Sequence, residues 1–134
     1  MRADLKADQS PVTIADRQTE ELIRSRIEKD YPGHAILGEE FGASESAGTS
    51  HRWLIDPIDG TKSFIQGVPL YAVLIALEIE GQIDVGVAYF TALDEMLAAA
   101  TGLGCWWNGR RASVAPTSSL AQSVVTFSDV ANFA

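Results

Sequence analysis

The chain reads as an α/β protein, a layered α+β sandwich in which a largely antiparallel sheet is flanked by helices. Three observations predict this. Apolar residues recur at helical spacing among the charges of residues 13–30. Two short apolar runs, residues 35–37 and 53–55, each end in carboxylates. From Tyr71 onward, β-rich segments alternate with short turn signals.

Taken in order, Ser10-Pro11 closes a polar opening stretch and predicts an extended or hairpin entry. Thr13 and Asp16 have the spacing of a capping box with Asp in place of Glu, and Ala15, Leu22, Ile23 and Ile27 continue at helical spacing up to Asp30. Tyr31-Pro32-Gly33 stops that helix. Residues 35–37 form a short buried strand that delivers Glu39 and Glu40, and residues 53–55 form a second that delivers Asp56. Between them, the Gly- and Ser-rich residues 42–50 read as a mobile loop. Residues 71–80 and 83–90 flank Gly81-Gln82 as a hairpin. Residues 96–101 add a third strand, and Cys105-Trp106-Trp107 begins a fourth that ends at Asn108-Gly109. The run 72–77 is apolar without alternation, which predicts cover on both faces. Ser118 and Ser119 are placed to cap a short helix near Leu120, and residues 124–127 read as one more strand. No repeat or low-complexity tract interrupts a single domain over residues 1–134.

Composition limits the function classes. The 134 residues are 46% hydrophobic and 21% charged, which describes a packed globular chain and not a disordered one. The net charge of −8 disfavours nucleic acid and anionic membrane as partners. A small anionic substrate meets the same repulsion unless bound cations invert the local field. The lone Cys105 excludes an internal disulfide and fits a reducing compartment. The opening residues do not have the pattern of a signal peptide, and no apolar run is long enough to span a bilayer, so the expectation is a cytoplasmic protein.

The chemistry concentrates in Asp56-Pro57-Ile58-Asp59-Gly60-Thr61, with Gly38-Glu39-Glu40 upstream. Pro57 fixes its own φ and biases Asp56 toward extended backbone, so the side chains of Asp56 and Asp59 can converge on one side. The Ile58 carbonyl between them is a natural third oxygen. Gly60 permits close approach to the backbone, and Thr61 can open a helix whose free N–H groups suit a phosphate. Clustered oxygen ligands favour Mg²⁺ or Mn²⁺ over zinc, and no Cys or His here has a metal-site spacing. An acidic turn that merely caps a helix is the bland alternative. The Gly-Glu-Glu segment at the end of the preceding strand weighs against it.

Four segments in order resemble the inositol-monophosphatase-like family of Mg²⁺-dependent phosphatases: residues 10–16, 38–40, 53–61 and the Gly86-Val87-Ala88-Tyr89 strand. Residues 6–11 and 62–71 look most like its histidinol-phosphate phosphatase branch, although related branches share much of this wording. The resemblance implies a sugar-phosphatase-like fold and hydrolysis of a small phosphomonoester. L-histidinol phosphate is the first expectation of substrate, and inositol 1-phosphate or a related sugar phosphate is the alternative. It implies that Glu39, Asp56 and the Ile58 carbonyl bind one Mg²⁺, that Asp56 and Asp59 bind a second, and that Glu40 helps hold a further metal or its water. Asp16 would orient the Thr61 hydroxyl, Thr61 would position the attacking water, and the N–H groups of Gly60 and Thr61 would hold phosphate oxygens. A homodimer is implied as well.

Members of that family are about twice as long. The resemblance therefore implies an N-terminal helix ahead of the Lys6 region and a C-terminal half, whose Trp-Asp motif completes the second metal site and whose other residues choose the substrate alcohol. Asp129 does not replace that ligand. The expectation is a chain carrying the first metal site and half of the second, with a non-catalytic metal-binding fragment as the reading from another class. A haloacid-dehalogenase-like phosphatase also uses an Asp-x-Asp-Gly-Thr-type turn, but there the two Asp stand two residues apart near the N-terminus, not three. Of the remaining residues, His34 and His51 read as surface residues, the latter in the mobile loop, and Cys105 as a small buried hydrophobe. Trp53, Trp106 and Trp107 are expected to pack in or around the core. Arg110 and Arg111 read as surface charges, and Lys62 as a solvated lysine or a substrate contact.

Overall fold

The computed structural model of the chain describes residues 3–5, 11–44 and 48–126. An antiparallel hairpin of β1 (Ala3–Leu5) and β2 (Pro11–Thr13) leads directly into helix α1 (Ile14–Asp30). An eight-stranded sheet follows: β3 (Ala35–Gly38), β4 (Gly42–Ala43), β5 (His51–Asp59), β6 (Ala72–Ile79), β7 (Gln82–Phe90), β8 (Glu95–Ala100), β9 (Gly104–Trp107) and β10 (Arg110–Ala112). Its spatial order is β10-β9-β8-β7-β6-β5-β3-β4, and every pairing is antiparallel except β3 with β5. The largely antiparallel α/β sheet expected from the sequence is what forms. The short helix α2 (Thr61–Gln66) sits between β5 and β6.

Helix α1 begins as its sequence dictates. Thr13 is the N-cap, its hydroxyl accepts from the Ala15 N–H, and the Asp16 carboxylate reaches back to the Thr13 N–H at 2.7 Å. At the other end, the Tyr31 N–H closes on the Ile27 carbonyl. The inward stripe differs from the one that apolar spacing predicts. Leu22 is 71% exposed, whereas the buried residues of the helix are Asp16, Glu20 and Ile27. Two carboxylates therefore occupy positions that a simple amphipathic helix gives to apolar residues. The apolar contribution comes from Ile27 against Ile36 of β3 and Ile55 of β5, with Ile23 and Trp53 packed around them.

Other expectations are corrected in detail. The β6–β7 turn is centred on Glu80-Gly81 and not on Gly81-Gln82, because a two-residue hairpin needs left-handed backbone at both central positions, and Glu80 (φ 51°) and Gly81 (φ 81°) supply it. The loop of residues 42–50 is shorter than expected: Gly42 and Ala43 pair with β3, and His51 already opens β5, while residues 45–47 lie outside the described residues. Arg110 and Arg111 are exposed, but they belong to β10. Residues 124–126 form no strand; Val124 is 90% exposed, since nothing described offers it a ladder partner. Leu120–Gln122 is one 3₁₀ turn, and Ser119 at its start makes no side-chain cap. The expectations for residues 6–10, Phe127, Asp129 and the last residues lie outside the described residues.

Among the described residues, β6 is not covered on both faces. Only Ala72 is buried, and the rest of the strand is half-buried. α1 packs against β5 and β3, while an open, mostly apolar depression of about 940 Å³ is lined by Leu37, Leu54, Leu74, Ala76 and Ala88 among others. Among the described residues no helix is long and apolar enough to cross a membrane.

Ile27 and Ile36 tie the helix to the sheet, so Ile27→Ala should destabilise the chain by about 2–4 kcal/mol through lost burial and a residual cavity. Urea unfolding followed by circular dichroism measures this. A change below about 0.5 kcal/mol would mean that α1 is not anchored there.

Candidate active site

Parallel pairing of β3 with β5 is the origin of the site. Gly38 pairs with Ile55, and the Glu39 N–H donates to the Ile55 carbonyl at 3.1 Å. The parallel-paired stretch therefore ends at one place in the sheet, and Glu39, just past β3, and Asp56, within β5, emerge side by side. Their carboxyl groups are close enough for the Glu39 charge to act directly on Asp56.

A bulge in β5 decides where Asp59 goes. Asp56 pairs with Leu74 and Asp59 with Ala72, so β5 carries one more residue than β6 across this interval. In a regular strand, residues three apart face opposite sides. The extra residue reverses that parity and brings Asp56 and Asp59 to the same side. Pro57 lies within the bulge, where the ladder has no call on the N–H it lacks. Pro57 and Ile58 are buried, whereas Asp59 is exposed. The Asp56 carboxylate also accepts from the Ile58 N–H at 3.1 Å, which holds the turn closed.

Gly60 then takes left-handed backbone (φ 89°) and starts α2. A Cβ there would lie 3.0 Å from the Leu70 carbonyl oxygen, so both conformation and space require glycine. Thr61 follows, and its hydroxyl stands 3.3 Å from Asp16 Oδ1 and 3.1 Å from the Ile58 carbonyl. Asp16 is 1% exposed, and its other oxygen accepts from both the N–H and the hydroxyl of Thr13. The capping box of α1 and the Thr61 contact thus share one carboxylate.

Burial and the nearby charges of Glu39 and Asp59 push the Asp56 carboxyl up from 3.8 to about 7, against a lowering effect of the Ile58 N–H. Asp56 therefore retains its proton up to about pH 7. Such a cluster accepts a cation in exchange for that proton, and its donors are all oxygen, the set that suits Mg²⁺. Among the described residues, no three His, Cys, Asp or Glu side chains stand in an arrangement that could hold a metal ion as they are. Glu39 and Asp56 meet directly, and Asp59 adds its charge from the exposed side.

Glu40 is half-buried beside this pair, and Lys62 is exposed on α2. His34 and His51 are not surface residues: both are half-buried, their rings stack at 4.6 Å, and His34 Nδ1 accepts from Trp53 Nε1 at 3.1 Å. Cys105 is half-buried, and Trp106 and Trp107 are 42% and 48% exposed. The sequence reading missed Glu20, which is fully buried and accepts the Glu40 N–H at 2.7 Å. Its signal was position, four residues after Asp16 on the same face of α1.

With this geometry in place, comparison with known proteins is specific. The chain belongs to the inositol monophosphatase family, which it matches over residues 1–132. A histidinol-phosphatase of Chlorobaculum parvum is 48% identical over 92% of this chain and 48% of its own length. An inositol-1-monophosphatase of Mesorhizobium japonicum is 42% identical over 93% of this chain and 47% of its own length. Among solved structures, the extragenic suppressor protein suhB of Bartonella henselae superposes with a TM-score of 0.83 at 37% identity, covering 87% of this chain and 46% of that one. An IMPase/NADP phosphatase complexed with Mg²⁺ and phosphate superposes with a TM-score of 0.75 at 26% identity, covering 83% of this chain and 43% of that one. The chain spans about half the length of these relatives.

The raised carboxyl gives a signed pH prediction. Between pH 3.8 and about 7 the folded state holds a proton that the unfolded chain has released, so metal-free stability should fall across that window and level off above it. Mg²⁺ affinity should rise across the same window, by up to about tenfold per pH unit. Calorimetry in buffers of different ionisation enthalpy should find close to one proton released per ion at pH 6 and close to none at pH 8. A pH-independent affinity would contradict the proton held on Asp56.

Proposed function

We propose that this chain carries the metal- and phosphate-binding part of a Mg²⁺-dependent phosphomonoesterase. The observation that supports this most is the Glu39–Asp56 carboxyl pair where the parallel pairing of β3 and β5 ends, next to a Thr61 hydroxyl in contact with buried Asp16. Glu39, Asp56 and the Ile58 carbonyl would hold one ion. Asp56 and Asp59 would contribute to a second, with Glu40 assisting and a remaining ligand from outside the described residues. Bound there, divalent cations supply charge stabilisation to the transferring phosphoryl group and lower the pKa of an attacking water. Mn²⁺ fits the same oxygen donors.

The chain's own contribution is orientation. The Thr61 hydroxyl has one proton and two candidate acceptors, Asp16 Oδ1 and the Ile58 carbonyl. Donation to Asp16 leaves the Thr61 lone pairs free to accept from a water and aim it at phosphorus. The water oxygen forms the new P–O bond while the ester P–O bond breaks, and the alcohol leaves with a proton. The N–H groups of Gly60 and Thr61, ahead of the first α2 hydrogen bond, would receive phosphate oxygens.

L-histidinol phosphate is the substrate we favour, because the histidinol-phosphatase of C. parvum shares 48% identity over almost the whole of this chain. The identity to an inositol-1-monophosphatase supports inositol 1-phosphate as the second reading. A small phosphorylated substrate as the partner, a homodimer and a cytoplasmic location belong to the same proposal. Phosphate release from the two esters, with and without Mg²⁺, separates the readings. Saturable Mg²⁺ binding with no release from either would favour a metal-binding fragment.

Two variants test the assignments. Asp56→Asn keeps the shape and removes the charge shared by both ions, so calorimetry should find Mg²⁺ binding lost, and unchanged binding would refute the site. In a form that turns over phosphomonoesters, Thr61→Ala should lower kcat by about 10²-fold with little change in KM, since water positioning matters in the transition state. An effect on KM alone would make Thr61 a phosphate binder only.

A further inference from the structure

Glu20 is a carboxylate with no access to solvent, on a helix, in a chain this acidic. Burying a charge is costly unless it is paired and hydrogen-bonded, so its partners show what it is for. Glu20 Oε2 accepts the Glu40 N–H at 2.7 Å, and Oε1 accepts the Phe41 N–H at 3.3 Å and Arg24 Nε at 2.7 Å. Arg24 in turn donates from a terminal guanidinium nitrogen to the Gly42 carbonyl. Residues 39–41 are the tip of the β3–β4 hairpin, where Gly38 pairs with Gly42, the Glu39 N–H goes to the Ile55 carbonyl, and the ladder has no acceptor for the N–H groups of Glu40 and Phe41. Helix α1 supplies it.

Gly38 completes the arrangement. Its backbone is not left-handed, yet a Cβ at this position would sit 1.8 Å from Glu20 Oε1. The glycine ahead of the two glutamates is therefore the space that the Glu20 carboxylate occupies. Glu39 is held from both sides, by its own N–H on the Ile55 carbonyl and by the following N–H on Glu20.

We propose that Glu20 is a positioning residue, whose buried carboxylate, with Arg24 and the space left by Gly38, fixes the hairpin tip so that Glu39 is presented to Asp56 as a ready-made half of the cation site. This rests on the metal reading above and deepens it. Charge-assisted hydrogen bonds to backbone N–H groups are strong and directional, and the groups that orient metal ligands typically govern affinity by one to two orders of magnitude. Asp16 and Glu20, four residues apart, then divide the work: the first holds Thr61 and the second holds Glu39 and Glu40.

The test is Mn²⁺ titration of the whole chain and its Glu20→Gln variant, read by the paramagnetic signal of free ion, alongside melting curves of both without metal. Glu20→Gln should bind Mn²⁺ roughly 10–100-fold more weakly while remaining folded at the titration temperature. Unchanged affinity in the folded variant overturns the proposal while leaving the metal site intact, whereas absence of Mn²⁺ binding in the unsubstituted chain overturns the metal reading beneath it. Hydrogen exchange on the unsubstituted, metal-free chain keeps the proposal falsifiable should the variant not fold. The Glu40 amide should be protected to the level of the β3 ladder, and exchange at the rate of an open loop would overturn the proposal.

Discussion

Two buried carboxylates on one face of α1 hold the site together. Asp16 and Glu20 leave the helix one turn apart and reach different segments of the chain, Thr61 at the start of α2 and the hairpin tip after β3. Helix α1 could have been fastened to the sheet by apolar packing alone, and Ile23, Ile27, Ile36 and Ile55 do part of that. Apolar contacts are non-directional, however, and would leave two surface turns free to drift relative to each other. Hydrogen bonds to an immobile carboxylate, from the Thr61 hydroxyl to Asp16 and from the Glu40 N–H to Glu20, fix angle as well as distance. A rigid helix that carries both carboxylates converts two separate turns into one framework.

The sheet supplies the other half of the geometry. Its single parallel pairing brings the carboxyl ends of β3 and β5 together, and a one-residue bulge brings Asp56 and Asp59 to one side. The result is electrostatically strained: burial, with Glu39 and Asp59 close by, holds a proton on Asp56 to about pH 7. A cation would relieve that repulsion, and the family to which the chain belongs includes an IMPase/NADP phosphatase solved with Mg²⁺ and phosphate.

Much of this was legible in the sequence because it rests on local rules. The Thr13–Asp16 capping box, the Tyr31-Pro32-Gly33 stop and the end of β3 just before Glu39 follow from spacing and from proline and glycine chemistry, whereas β5 runs on past Asp56 to Asp59. What escaped depended on tertiary partners. Glu20 looks like any charged helix residue until the turn it holds is brought against it, and apolar spacing favoured Leu22, which is exposed, over the polar stripe that is buried. Nothing local to Gly38 tells that a Cβ there would collide with the Glu20 carboxylate. The β5 bulge cannot be inferred from β5 alone, since register is a property of two strands. Residues 124–126 have β-forming side chains but no neighbour to pair with, so propensity misled there.

The most direct measurement is a crystal structure of the chain grown with Mn²⁺ and recorded at a wavelength where manganese scatters anomalously. We expect an anomalous peak within coordination distance of Glu39, Asp56 and the Ile58 carbonyl, with the Glu20–Glu40 and Asp16–Thr61 hydrogen bonds unchanged. Manganese located elsewhere, or bound at Asp56 with the Glu39 turn swung away and Glu20 released, would contradict a cation site built by α1.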